Sequence, residues 1–169
     1  GELLFVPKDN LNTDGIFGKE FPYNDDLKPA EMGTKAMLNY DPNFQQIARA
    51  GDILAGGYNF GSGSSREQAA TALKYRGLQM IIAGSYSQTY KRNAFNNGYI
   101  VIECPELVDG LKEAHRGEKA LTVRTGQRAR VDFTRGQIEC GGRTYYFSPL
   151  GDVAQELVVK GGFEAVIRD

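Results

Sequence analysis

The stretch Ile53-Leu54-Ala55-Gly56-Gly57-Tyr58-Asn59-Phe60-Gly61-Ser62-Gly63-Ser64-Ser65-Arg66-Glu67-Gln68-Ala69, followed by Gln79-Met80-Ile81-Ile82-Ala83, decides the fold class. Residues 53–60 form an apolar run with glycines where a neighbour packs close, and read as a buried strand. Residues 61–65 are a loop. Residues 66–76, rich in alanine, predict a helix stopped by Gly77 as its C-terminal cap. Residues 79–83 are a short apolar run suited to a central parallel strand. The alternation continues with a helix over 85–97 ending at Gly98, a strand over 99–103, and a helix over 105–116 framed by Pro105 and Gly117. Strands alternating with helices predict a parallel sheet with right-handed crossovers.

On the N-terminal side, residues 8–23 are dense in turn formers and read as an irregular loop anchored by Leu11, Ile16, Phe17 and Phe21. Residues 25–39 carry Leu27, Met32, Ala36 and Met37 near helical spacing. On the C-terminal side the pattern shortens. Residues 120–125, 129–134, 137–140 and 143–147 read as strands of an antiparallel meander separated by glycine-containing turns. A final helix is expected over 152–160, closed by Gly161-Gly162. The fold class expected is α/β, one domain over 1–169, with a central mostly parallel sheet flanked by helices and a C-terminal antiparallel β appendage.

Composition narrows the function. The chain has 169 residues, 41% hydrophobic and 24% charged, which is globular rather than disordered. Lys+Arg number 20 against Asp+Glu 21, so nothing points to a nucleic-acid or membrane surface. No apolar run approaches the roughly 18–20 residues of a membrane span. Cys104 and Cys140 cannot make a disulfide framework, and a reducing compartment is the simpler expectation. Glycine occupies 21 positions, against about 7% in an average chain, which implies many tight turns and close backbone approaches. The chain begins at Gly1 rather than Met and shows no signal or transit pattern, so a processed chain or one cut from something longer is expected.

The chemistry concentrates in residues 59–69. Gly61 and Gly63 let the backbone turn sharply and approach a ligand. The helix that follows points free N–H groups and the positive end of its dipole at the loop, which suits an anion. Arg66 adds a planar guanidinium that can grip a carboxylate in bidentate fashion, and Ser64 and Ser65 add two hydroxyls. Ser64-Ser65-Arg66-Glu67 is equally a capping box, in which Ser64 caps the helix and Glu67 reaches back. Both readings stand, and they are compatible. The spacing does not fit the dinucleotide fingerprint, and no Gly-Lys-Ser/Thr follows, which argues against a nucleotide loop. Elsewhere the signals are weaker. His115, the only histidine, sits in a polar stretch and reads as a solvated helix end. The two cysteines lack accompanying ligands, so no metal site is expected within this chain. Arg124, Arg128, Arg130, Arg135 and Arg143 are expected to scatter over a solvated face. Tyr86, Tyr90 and Phe95 are expected in the core.

Three segments carry a resemblance: Asp9-Asn10-Leu11-Asn12-Thr13-Asp14, the run from Gly51-Asp52-Ile53-Leu54 to Ser64-Ser65-Arg66-Glu67, and Ile82-Ala83-Gly84-Ser85-Tyr86 through Arg92-Asn93 to Asn97-Gly98. Together they resemble the swivelling domain of the aconitase superfamily, from Asp9 to the Lys160-Gly161-Gly162-Phe163-Glu164 tail. The Gly-Ser-Ser-Arg-Glu-x-Ala core, Gly63 to Ala69, is the specific part. Within the superfamily the chain is most similar to the C-terminal domain of fungal-type homoaconitases, with the isopropylmalate isomerase small subunit as runner-up. The resemblance implies a hydro-lyase using a [4Fe-4S] cluster whose free iron polarises the substrate hydroxyl. It makes Ser64 the base, as an alkoxide, and Ser65 and Arg66 the ligands of a substrate carboxylate. It places the cluster ligands on separate catalytic domains, so this chain alone is expected to be inactive and to bind no cluster. The substrate implied is a tricarboxylate, the reaction reversible hydration of cis-homoaconitate to homoisocitrate, and the compartment the mitochondrion. Where the family often carries a Pro-Gly-Lys turn, this chain has Phe17-Gly18-Lys19-Glu20-Phe21-Pro22-Tyr23, and Lys19 is the available cation for the substrate's side arm. A non-catalytic anion-binding module of the same fold is the competing expectation.

Overall fold

The computed structural model describes residues 1–18, 28–63, 67–147 and the backbone of 166–167. Among these, eight strands form one mixed sheet: β1 (Glu2–Phe5), β2 (Ile53–Ala55), β3 (Met80–Ala83), β4 (Val101–Glu103), β5 (Val123–Asp132), β6 (Gln137–Cys140), β7 (Arg143–Tyr146) and β8 (Val166–Ile167). The order is β4-β3-β2-β1-β5-β6-β7, with β8 beside β5. Strands β1 to β4 are mutually parallel. β5 turns antiparallel against β1 and continues through β6 and β7 as a meander. The helices are α1 (Thr13–Ile16), α2 (Pro29–Thr34), α3 (Phe44–Ile47), α4 (Gln68–Tyr75), α5 (Gln88–Asn96) and α6 (Pro105–Ala114).

Side-chain alternation along the strands builds a core on each face of the sheet. Leu4, Leu54, Ile81 and Ala83 face one core, together with Ile16, Leu73, Tyr90 and Ala94 from the helices. Leu3, Phe5, Ile53, Met80 and Ile82 face the other, with Leu107 and Leu111 of α6 and Val131, Ile138 and Cys140 of the meander. Helix α4 lies close to its neighbours because its inward residues are small: Ala69, Ala70 and Ala72 are fully buried. Gly33 of α2 meets it almost backbone to backbone, since a Cβ there would fall 2.7 Å from the Tyr75 carbonyl oxygen.

Several expectations are corrected. Residues 2–5, left unassigned in the sequence, form β1 at the pivot between the parallel and antiparallel halves. The antiparallel meander expected on the C-terminal side is present, and it joins the mostly parallel sheet through β1·β5. The two strands expected over 120–125 and 129–134 are one strand, β5. Gly126 at φ +72° absorbs a register shift against β1 instead of ending the strand. The strand expected over 53–60 leaves the sheet after Ala55. The helix expected over 25–39 is only α2; turns follow, with Met37 at φ +64°, and residues 25–27 lie outside the described residues. Tyr86 precedes α5, whose cap is Ser87. The helix expected over 152–160 also lies outside the described residues.

At the amino ends of the parallel strands an ion pair ties the halves together. Arg124 of β5 donates to both Asp52 carboxylate oxygens, at 2.8 and 3.1 Å, and to the Ile47 carbonyl. Its other partner is Glu2 at 3.0 Å. The Asp52 side chain is only 5% exposed and that of Arg124 20%, so Arg124 does not scatter onto a solvated face as expected. Asp52→Asn should destabilise the fold by about 2 kcal/mol in urea denaturation, because a half-buried guanidinium loses its bidentate acceptor. A loss below about 0.5 kcal/mol would mean the pair behaves like an exposed one.

Candidate functional site

Backbone donors and acceptors that leave the sheet must find new partners. At the carboxyl ends of β1, β2 and β3 they find one another. Val6 N donates to Ala55 O at 2.8 Å, Gly56 N to Ile82 O at 2.8 Å and Gly84 N to Gly57 O at 3.0 Å. Further out, Gly61 N donates to Leu11 O and Thr13 N to Ser62 O, each at 2.8 Å, so that Asn12 and Ser62 pair like strand residues. The third loop joins through Phe60 N to Ser85 O at 3.0 Å and Ser87 N to Phe60 O at 3.1 Å. Three loops thus form one hydrogen-bonded platform at the carboxyl end of the parallel strands, where open α/β sheets bind their ligands.

The two glycines of the platform do different work. Gly61 has φ +80°, and a Cβ there would sit 2.2 Å from Cγ of Tyr90. Gly63 has φ +100°, but a Cβ would meet nothing nearer than Thr13 Oγ1 at 3.5 Å. Gly61 is required by packing as well as torsion, Gly63 by torsion alone. The Tyr90 ring lies under Gly61 while its buried hydroxyl donates to Ala69 O at 3.0 Å, and burial drives that phenol's pKa upward. Ser87 Oγ donates to Gly61 O at 2.8 Å. Helix α5 therefore holds both the turn before residue 64 and the first turn of α4. Glu67, already helical in backbone, accepts from Asn97 Nδ2 at 3.3 Å.

The four residues singled out for chemistry, Ser64, Ser65, Arg66 and Lys19, lie outside the described residues. The structure brings together their flank. Asn12 Oδ1 caps α1 by accepting from Gly15 N at 2.8 Å, and its Cβ is 3.7 Å from the position a Cβ on Gly63 would take. Beside it opens a cavity of about 330 Å³ lined by Lys8, Asn10, Asn12, Asp14, Asn39 and Tyr40. Lys8 is a cation at this cavity that sequence reasoning did not select; its place just before the Asp9–Asp14 motif was the available signal.

Other candidates resolve differently. His115 is not a solvated helix end. Its side chain is 15% exposed, it packs on Phe5 with ring centroids 6.1 Å apart, and its Nε2 is buried without a partner among the described residues. Arg130, Arg135 and Arg143 do scatter, each beside an acid: Glu139, Asp132 and Glu106. Tyr90 is core, and Tyr86 and Phe95 pack against it, as expected. No helix of the described residues is long and apolar enough to cross a membrane.

Residues 9–107 match the family model described as the aconitase C-terminal domain. Along nearly its whole length the chain is similar to proteins named mitochondrial homoaconitase. That of Debaryomyces hansenii is 40% identical over 174 residues, covering 99% of this chain and 25% of the relative. That of Emericella nidulans is 42% identical over 176 residues, covering 100% and 23%. The chain thus spans about a quarter of the length of the curated relatives it matches. A crystal structure of 3-isopropylmalate dehydratase from Methanocaldococcus jannaschii matches with a TM-score of 0.75 at 28% identity, over 97% of this chain and 89% of that one. The family match and the whole-chain similarity agree, and this chain belongs to the aconitase C-terminal domain family.

Proposed function

We propose that this chain is the substrate-binding and catalytic-base part of a homoaconitase-type hydro-lyase, interconverting cis-homoaconitate and homoisocitrate in lysine biosynthesis. The observation that carries the proposal is the place of Gly61 to Gly63 at the carboxyl ends of the parallel strands, in sequence just before Ser64-Ser65-Arg66. The chain around that segment is about 40% identical to proteins named homoaconitase. Residues 1–169 act as a swivelling domain that closes on cluster-bearing catalytic domains, with a tricarboxylate substrate between them and, as for the relatives so named, in the mitochondrion.

In dehydration Oγ of Ser64, as an alkoxide, takes the proton from the carbon next to the one bearing the hydroxyl. The C–H electron pair becomes the double bond, and the neighbouring carbon loses its hydroxyl as hydroxide; in hydration each transfer runs in reverse. A serine hydroxyl is far too weak an acid to be ionised in water near neutrality, so the alkoxide has to be stabilised locally. The N–H groups at the start of α4 and the Arg66 guanidinium supply a field of the required sign in a site closed to water. Ser65 and Arg66 hold a substrate carboxylate, and Lys19 serves the side arm. This chain's own cysteines do not fit a [4Fe-4S] cluster. Cys104 and Cys140 are buried, burial pushes the Cys104 thiol pKa up, and their Sγ atoms lie 3.5 Å from Tyr146 O and 3.3 Å from Gln127 Oε1, whereas cluster ligands are thiolates. The cluster that the family implies is therefore assigned to the catalytic region of the full-length protein.

The likeness to 3-isopropylmalate dehydratase favours a second reading, with isopropylmalate as substrate on the same machinery. In the full-length, cluster-loaded enzyme, turnover of homoisocitrate with none of isopropylmalate would support the first reading, and the reverse would replace it. Ser64→Ala should lower kcat about 10³-fold or more, with the melting temperature unchanged. Activity lost only in step with stability would leave Ser64 a structural role alone. Arg66→Lys should raise KM about tenfold by losing the two-pronged contact; an unchanged KM would remove Arg66 from the site. Gly61→Ala should cost about 3 kcal/mol of stability, from overlap with Tyr90 and an unfavourable φ. Gly63→Ala should cost about 1 kcal/mol, so that its fall in kcat cannot be ascribed to unfolding. Equal stabilities for the two variants would contradict the packing described at Gly61.

A further inference from the structure

Two asparagines on different loops share the same rare backbone conformation and hold each other. Asn10 has φ +56° and Asn59 φ +53°, in the left-handed region that a residue with a Cβ enters at a cost. Asn59 Nδ2 donates to Asn10 Oδ1 at 2.9 Å. Their backbones are fixed as well. Asn10 N donates to Tyr58 O at 2.7 Å, Asn59 N donates to Ser85 Oγ at 2.8 Å, and Asn10 O accepts from the Ser62 hydroxyl at 3.3 Å.

Helix α6 braces the clasp from the other face of the sheet. The Tyr58 hydroxyl donates to Asp109 Oδ1 at 2.6 Å. Lys112 Nζ reaches both oxygens of Asp9, at 2.7 and 2.9 Å, and lies 5.1 Å from the centroid of the Tyr58 ring. Tyr58 N donates to Asp9 Oδ1 at 2.8 Å. Gly84 makes room for this arrangement, since a Cβ there would fall 2.7 Å from Cε1 of Tyr58. The titration behaviour is consistent with it: the hydrogen bond to Asp109 first, then burial and the nearby carboxylates, push the Tyr58 phenol up to about 12.

Asn10 and Asn59 are both exposed, so the strained pair serves no core. Strain of this kind persists where the surroundings over-determine it, and it gathers at functional sites. The clasp lies at the root of the turn from Gly61 to Gly63 that leads into residue 64. We propose that Asn59, clasped to Asn10, is a positioning residue for Ser64, setting where the turn delivers its Oγ and so acting on proton transfer rather than on substrate affinity. The inference rests on Ser64 being the base.

The test uses the full-length, cluster-loaded enzyme. Asn59→Gly keeps the backbone free to adopt its φ and loses only the amide clasp; kcat should fall about tenfold with KM within about twofold. Asn10→Gly should do the same. The double variant should lose about tenfold in total, as each single variant does, rather than about a hundredfold, because one clasp is lost once. Asn59→Ala adds backbone strain and should lower kcat about a hundredfold. Ile138→Val, fully buried in the opposite core, reports the effect of lost stability alone and should leave kcat unchanged. Wild-type kcat in both Asn59 variants, losses confined to KM, or multiplicative losses in the double variant would overturn the proposal. If Ser64→Ala is inactive while the asparagine variants are not, the earlier reading stands and this one ends. If Ser64→Ala retains turnover, both end.

Discussion

The loops that leave adjacent parallel strands must go on satisfying each other's backbone polar groups, and at the carboxyl ends of β1 and β2 they do so for seven residues beyond the last ladder pair. That continued pairing, ending at Asn12 and Ser62, is the constraint on which the rest of the site depends. It fixes Gly61 over the Tyr90 ring and places Asn12 against Gly63. It also brings together two loops whose sequences stand about fifty positions apart.

The two ends of the parallel strands hold different things. At the amino ends of the strands, Arg124 gathers Asp52, Glu2 and the Ile47 carbonyl, joining the parallel and antiparallel halves. At the carboxyl ends stand the paired loops, the strained asparagines and a polar cavity. Helix α6 belongs to both: Leu107 and Leu111 seal one core, while Asp109 and Lys112 at its side reach the loops.

How much was legible in the sequence follows from which interactions are local. The alternation from β2 through α6 was readable because each strand is an apolar run between helix caps, and Gly77 and Gly98 do adopt positive φ. Strand β1 was not, because Leu3-Leu4-Phe5 shows no alternation and its central place is set by partners 50 and 120 positions away. Gly126 was mistaken for a break because glycine serves a bulge as readily as a turn. In the site, glycines, serines and arginine at a helix start announced themselves by spacing. The clasp did not: Asn10 and Asn59 are ordinary turn residues until the fold sets one amide against the other.

The proposed function puts the proton transfer of this chain on one oxygen, that of Ser64, with Ser65, Arg66 and Lys19 as the substrate contacts it contributes. The most direct measurement is exchange with solvent of the hydrogen on the carbon next to the hydroxyl-bearing one in the full-length enzyme, followed with homoisocitrate deuterated at that position. The account predicts that the label washes out in the wild-type enzyme and is retained when Ser64 is replaced by alanine, while the substrate still binds. Wash-out at the wild-type rate in that variant would assign the proton to another base and contradict the account.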